Sequence, residues 1–168
     1  MSRHLILQRH AKSDWPMGVA DLDRPLSTRG VRDAPAAARW IEDNSPPVDL
    51  IIVSPARRTR QTCDLIVEGW GRETAILVDP RVYEASVTDL IDVVHDIPED
   101  IGAAMIIGHN PGLELLAAQW PQTVDRSASD RLATKFPTSA IAMISMSGSW
   151  ADPQSRHLER VVVPRGEI

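Results

Sequence analysis

The stretch Leu5-Ile6-Leu7-Gln8-Arg9-His10 decides how this sequence is read: a short apolar run gives way to a guanidinium and an imidazole. A run of this length reads as a first strand, buried inside a sheet. Further along, Leu50–Val53, Ala75–Val78 and Ala103–Ile107 repeat the pattern, with helical stretches between them. Strands alternating with helices mark an α/β protein, here expected as a three-layer α/β/α sandwich around a mostly parallel central sheet.

The helix signals are specific. Ser27 can cap a helix running toward Asn44, with Ala34, Ala37, Ala38 and Ile41 on its apolar side. Pro35 inside it predicts a kink or a broken first turn. Ser54-Pro55 has the form of an N-cap followed by proline at the first helical position, opening a helix through Leu65, Ile66 and Val67 to about Gly69. Ser86-Val87-Thr88-Asp89 is a capping box, and Asn110-Pro111 starts a helix running to Trp120. Ser139–Met146 and Leu158–Val163 are expected as closing strands paired antiparallel, whereas Pro121 to Pro137 carries no readable pattern.

The 168 residues include 18 basic and 23 acidic side chains, a net charge of −5. One compact domain over residues 1–168 is expected, because a chain of this size buries roughly 70% of its unfolded surface. The acidic balance argues against nucleic acid or a membrane surface as partner. It is uneven: residues 1–70 hold 10 basic and 9 acidic side chains, and residues 71–168 hold 8 and 14. The single cysteine, Cys63, excludes an internal disulfide and a cysteine-rich zinc module. Near the amino end only Leu5 to Leu7 are consecutively apolar, too short for a signal-peptide core or a membrane span. A cytoplasmic location and, by default, a monomer are the expectations.

In a parallel sheet, ligands collect where strands hand over to helices at their carboxyl ends. Three such junctions carry unusual side chains. Arg9-His10 can hold a phosphate and attack it, since histidine serves as a covalent nucleophile, or it can be a surface pair at a strand end. Ser54 to Thr62 loads a helix opening with positive charge, the wrong sign for the helix dipole, which is better explained if an anion sits there. For Arg57 and Arg60 a solvated face is the simpler reading. Gly108-His109-Asn110-Pro111-Gly112 places a second histidine at a helix start, between glycines that permit close backbone approach. His4, His95 and His157 read as structural. No metal-ligand spacing, Walker sequence or Gly-x-Gly-x-x-Gly is present, so no metal and no cofactor are expected. Cys63 lies inside a predicted helix, which weakens any cysteine-phosphatase reading.

Taken in order, the blocks Leu7-Gln8-Arg9-His10-Ala11-Lys12-Ser13, Arg24-Pro25-Leu26-Ser27-x-x-Gly30, Ser54-Pro55-x-x-Arg58-x-x-Gln61-Thr62, Tyr83-Glu84-Ala85, Gly108 to Gly112 and Thr138 to Ala142 span nearly the whole chain. This ordered set resembles the histidine phosphatase superfamily, of phosphoglycerate mutase-like fold, and most closely its small phosphohistidine phosphatase (SixA-type) branch. The resemblance implies that His10 attacks phosphorus and that Arg9, Arg58 and His109 line the phosphate pocket. By position Glu84 is the candidate general acid, with Asp14 as second choice; Glu84 is otherwise a loop carboxylate. Ala11 stands where the family usually has glycine, adding a methyl beside the pocket.

The resemblance thus implies a metal-independent phosphatase acting through a phospho-His10 intermediate. Its partner is either a phosphorylated protein side chain (phosphohistidine) or a small phosphomonoester. Short segments from Ser13 to Arg24 and from Glu84 to Ala103 leave little material for a lid, which favours hydrolysis over a mutase reaction. A non-catalytic phosphate-binding module is the alternative of another class.

Overall fold

A computed structural model describes residues 2–167. Seven strands, β1 (Ser2–Arg9), β2 (Leu50–Val53), β3 (Ala75–Val78), β4 (Ala103–Gly108), β5 (Thr123–Val124), β6 (Ile141–Gly148) and β7 (Pro153–Val162), form one sheet in the order β3-β2-β4-β1-β6-β7-β5. β3, β2, β4 and β1 are parallel neighbours, and β5 runs parallel to β7. β6 alone runs the other way, pairing antiparallel with β1 on one side and β7 on the other. The mostly parallel sheet and the closing antiparallel ribbon are therefore as the sequence predicts.

Five helices cover the sheet: α1 (Thr28–Asn44), α2 (Arg57–Trp70), α3 (Val87–His95), α4 (Gly112–Gln119) and α5 (Arg126–Thr134). Because side chains alternate along a strand, each central strand feeds two cores. Leu5, Leu7, Ile52, Ala104 and Ile106 pack with Leu90 and Val94 of α3, Leu113 and Leu116 of α4, and Ala128 of α5. Ile6, Ile51, Val53, Met105 and Ile107 pack on the other face with Ala37, Ala38 and Ile41 of α1 and with Cys63, Ile66 and Trp70 of α2. Fully burying each such aliphatic side chain contributes about 1.5–3 kcal/mol, so the alternation fixes which helices lie on which face. The outcome is the expected three-layer sandwich.

Local details depart from expectation in four places. Helix α1 continues without interruption past Pro35, so the first turn is not broken there. Helix α2 begins at Arg57 with Ala56 at its N-cap, and Ser54 makes no cap; its hydroxyl has another use, described below. Strand β7 starts five residues before Leu158, at Pro153. The unread segment holds β5 and α5, whose one buried residue, Ala128, leaves no apolar periodicity to detect. Packing also understates the tryptophans. All five carry an arginine guanidinium near the ring: Arg24 over Trp15, Arg72 over Trp70, Arg156 over Trp120, Arg3 over Trp150 and Arg160 over Trp40, at 3.8 to 6.0 Å from the centroid.

At the amino end of β1, buried Arg3 closes the sheet. It donates to the backbone carbonyls of Gly148, Glu99 and Ile101 and pairs with the Glu99 carboxylate at 2.6 Å. At the carboxyl end, the loop after β1 rests on α1. The Lys12 carbonyl accepts from the Ser27 amide at 2.8 Å and the Ser27 hydroxyl at 3.0 Å, while that hydroxyl also caps the Gly30 amide. A β-carbon on Gly30 would lie 2.1 Å from the Lys12 carbonyl oxygen, which leaves no room for any side chain. Gly30→Ala is therefore expected to destabilise the fold by about 2 kcal/mol and to displace the loop after β1. Urea unfolding measures the first effect and turnover of an aryl phosphate the second.

Candidate functional site

Strand register brings two of the three junctions side by side. Arg9 of β1 pairs with Gly108 of β4, and the His10 amide donates to the Gly108 carbonyl at 3.0 Å. Val53 of β2 pairs with Ile107 of β4, which sets Ser54 beside the same end. The rings of His10 and His109 consequently lie 5.4 Å apart, centroid to centroid. A left-handed residue, Ser139 (φ 67°), turns the chain on the other flank of β1, where its amide donates to the His10 carbonyl. The site therefore stands on three strand ends.

His10 is buried and tightly directed. Its Nδ1 lies 2.7 Å from the Ala11 carbonyl oxygen, and only an N–H can serve such an acceptor. In the neutral ring this leaves Nε2 with the lone pair. Burial, reinforced by the neighbouring cations Arg58 and Arg9, lowers the His10 value from 6.5 to about 3. His109 is lowered to about 4, by burial first and then by Arg58. Its Nδ1 accepts from Arg58 at 3.3 Å, so its Nε2–H donates to the Ser54 hydroxyl at 2.7 Å. Both imidazoles are neutral at physiological pH.

The guanidiniums complete the cluster. Arg9 donates to the Phe136 carbonyl at 3.2 Å, and burial lowers its value. Arg58, buried on the first turn of α2, donates to the Asp21 carbonyl at 2.7 Å and to the Asp21 carboxylate at 3.1 Å. The Nε atoms of both arginines are buried without a partner. Two orphaned guanidinium donors beside an imidazole lone pair suit an anion with several oxygens. By contrast Arg57 and Arg60 are exposed, in keeping with a solvated face.

Side chains around this centre explain much of the ordered sequence pattern. Gln61 accepts from the Leu26 amide at 2.8 Å; Thr62 accepts from the Ala11 amide at 3.1 Å and donates to the Arg58 carbonyl at 2.8 Å. The turn of 3-10 helix at Asp21–Asp23 brings Asp21 against Arg58, Arg24 and the Tyr83 hydroxyl. Those donors, Tyr83 foremost, lower the Asp21 carboxyl to about 2. Asp21 had no periodicity or motif to announce it. Ser54 reads as a helix cap in the sequence, and its bond to His109 depends on tertiary contact alone.

Glu84 lines the cleft formed by Asp21, Arg58, Tyr83 and His109, and its backbone is left-handed at φ 54°. It is exposed, so the structure brings it to the site's rim and not into its buried centre. Asp14 is exposed in the loop after β1. The methyl of Ala11, expected beside the pocket, instead packs with Leu26 and Ala34 in a small buried cluster. His4, His95 and His157 lie on β1, at the end of α3 and on β7. Burial pushes the Cys63 thiol up to about 12, which leaves it an inert core residue. Among the described residues, no group of three or more His, Cys, Asp or Glu side chains is placed to hold a metal ion. No described helix is long and apolar enough to cross a membrane.

The sequence profile of the histidine phosphatase superfamily (branch 1) matches residues 5–109, which include all three junctions. The chain belongs to the histidine phosphatase superfamily. An uncharacterized protein of Mycobacterium tuberculosis is 36% identical over 146 residues, 86% of this chain and 90% of its own length. A candidate phosphohistidine phosphatase SixA from Nakamurella multipartitia has a similar structure, with a TM-score of 0.85 at 29% identity, covering 98% of this chain and 97% of that one. A second such protein, from Agrobacterium tumefaciens, gives 0.78 at 27% identity, covering 96% and 98%. This histidine phosphatase therefore has the phosphoglycerate mutase-like fold and is a phosphatase.

The depressed imidazole values of this histidine phosphatase carry a pH consequence. Unfolded histidines bind a proton near pH 6.5, whereas His10 and His109 resist until about 3 and 4, so stability falls as pH drops below about 6.5. Carboxyls held low, Asp21 among them, act only below their ordinary value of 3.8. Urea unfolding near pH 5 should therefore show a lower midpoint than near pH 7. In a His10→Gln, His109→Gln double variant that difference should shrink.

Proposed function

We propose that this phosphatase hydrolyses phosphohistidine on a protein through a covalent phosphohistidine formed on its own His10. The observation that carries the reading is the state of His10: Nδ1 is committed to the Ala11 carbonyl, and Nε2 is unprotonated beside the Arg9 and Arg58 guanidiniums, whose Nε atoms are buried and unpaired. In this scheme the Nε2 lone pair attacks phosphorus, and the bond from phosphorus to the leaving nitrogen breaks with its electron pair. Water then attacks the phospho-His10, releasing inorganic phosphate and returning the free imidazole. Arg9, Arg58 and His109 hold the non-bridging oxygens as charge moves across them, since phosphoryl transfer is mainly positioning and electrostatic stabilisation. No proton need leave His10 before attack. That is the advantage of an imidazole kept neutral by burial.

Support for phosphohistidine as substrate comes from the similarity to the two candidate SixA proteins. An open rim, with Glu84 exposed, suits a phosphoryl group borne on a protein. A small phosphomonoester would undergo the same chemistry with an oxygen leaving group, for which Glu84 is the available acid. A comparison of a phosphohistidine protein with small phosphomonoesters tests the choice directly: the higher kcat/KM belongs to the natural class.

His10→Ala is expected to abolish turnover of a generic aryl phosphate, and acid-labile radiolabel should be trapped on wild-type protein during turnover but not on the variant. Activity persisting in the variant would falsify the mechanism. For Glu84→Gln we expect a loss of about tenfold or more with alkyl phosphates, because an alkoxide must be protonated as it leaves. With phosphohistidine the loss should stay within about threefold, as a protonated imidazole ring departs without such help. Equal and negligible effects on both substrates would remove Glu84 from the chemistry.

A further inference from the structure

Between Ser13 and Leu26, which form an antiparallel bridge, the chain makes an excursion whose outer part displays apolar side chains. Met17 is 100% exposed and Trp15 71% exposed, the two most exposed large hydrophobic residues among those described; Leu22 nearby is 41% exposed. Trp15 is also the most exposed of the five tryptophans, the others being buried or half-buried. Such side chains in water are unfavourable, and Trp, Met and Arg are the residues enriched in protein contacts.

The excursion is held in place by many bonds. Arg24 stacks on Trp15 at 3.8 Å, donates to the Asp14 carbonyl at 3.1 Å and to the Ser13 hydroxyl at 2.8 Å, and pairs with Asp21 at 3.1 Å. The Asp14 amide donates to the Pro25 carbonyl at 2.9 Å, and the Leu26 amide to Gln61. Asp21 in turn binds Arg58. The face bearing Trp15 is thus joined through one guanidinium and one carboxylate to the phosphate-binding centre. Holding an exposed aromatic ring in a fixed pose lowers the entropy lost when something covers it.

We propose that Trp15 and Met17 are the docking surface for the protein that carries the phosphorylated side chain, seating it as the phosphoryl group enters the centre. The inference rests on the reading of the substrate as a phosphorylated protein. A small phosphomonoester would fill the cleft of Asp21, Arg58, Tyr83 and Glu84 without covering Trp15. A membrane surface is the poorer occupant, because the exposed carboxylates Asp14 and Asp23 flank the same apolar residues and anionic lipid repels them.

The test compares two substrates: a helical phosphotransfer domain phosphorylated on its histidine, and an aryl phosphate. Trp15→Ala with Met17→Ser should lower kcat/KM on the phosphoprotein about tenfold, mainly through KM, and leave the aryl phosphate within about twofold. Met17→Ser alone, at a fully exposed side chain, should show the same selective direction without disturbing Arg24. An equal loss on both substrates, or no loss on either, overturns the proposal. So does binding of wild type to phosphatidylcholine–phosphatidylserine vesicles that the double variant loses while phosphoprotein kinetics stay unchanged. Wild-type protein that turns over the aryl phosphate but not the phosphoprotein would instead overturn the substrate reading, and the docking surface with it.

Discussion

The register of β1 against β4 is the constraint on which the rest depends. With Arg9 opposite Gly108, the residues that follow each strand, His10 and His109, must emerge side by side from neighbouring strands about 4.8 Å apart. Nothing in the centre itself sets that distance. It is set by the alternation that sends Leu5 and Leu7 into one core and Ile6 into the other. A slip of one residue would reverse every one of those side chains, so the hydrophobic pattern guards the geometry of the polar end.

Burial then decides the chemistry. An exposed histidine among arginines would titrate near neutrality, whereas here the same withdrawal from water that fixes the rings also keeps them uncharged. Arg58 is the counterpart problem, a buried cation that must be paired. Asp21 pairs it from outside the sheet, and Tyr83 holds that carboxylate in place. Even so, part of each guanidinium remains without a partner. Ser54, Gln61 and Thr62 act at one remove, each tying a different loop to helix α2 or its approach.

Much of this was legible in the sequence. Continuous apolar runs mark β1, β2 and β4, because strands covered on both faces need no polar alternation; the edge strand β3 carries a similar run although Ile76, Leu77 and Val78 are exposed. The capping box at Ser86 is legible for a local reason, since both of its hydrogen bonds lie within four residues. Strand ends offer the three junctions a common meeting point, and it is the resemblance to the histidine phosphatase superfamily that singles out Arg58 beside Arg9, His10 and His109. What escaped was non-local. Asp21 looks like any loop acid until the chain folds back over Arg58. Ser54 presents a good cap signal yet serves His109, and the methyl of Ala11 turns into a cluster supplied by two distant segments. The α5 segment hides because its helix buries a single alanine. The arginine on each tryptophan comes from a distant segment in three of the five pairs, whereas Arg72 on Trp70 is a near neighbour in sequence and Arg24 on Trp15 belongs to the same excursion.

The two ends of β1 treat an arginine in opposite ways. Arg3 at the amino end is closed off by three carbonyls and a carboxylate, whereas Arg9 at the carboxyl end retains an unpaired donor beside that of Arg58. The choice of buffer therefore becomes an ingredient of the folded state. On the proposed reading, phosphate, sulfate or vanadate in solution occupies that end and adds to stability by mass action, while a buffer free of oxyanions does not. Melting temperatures taken in the two kinds of buffer describe two different thermodynamic species.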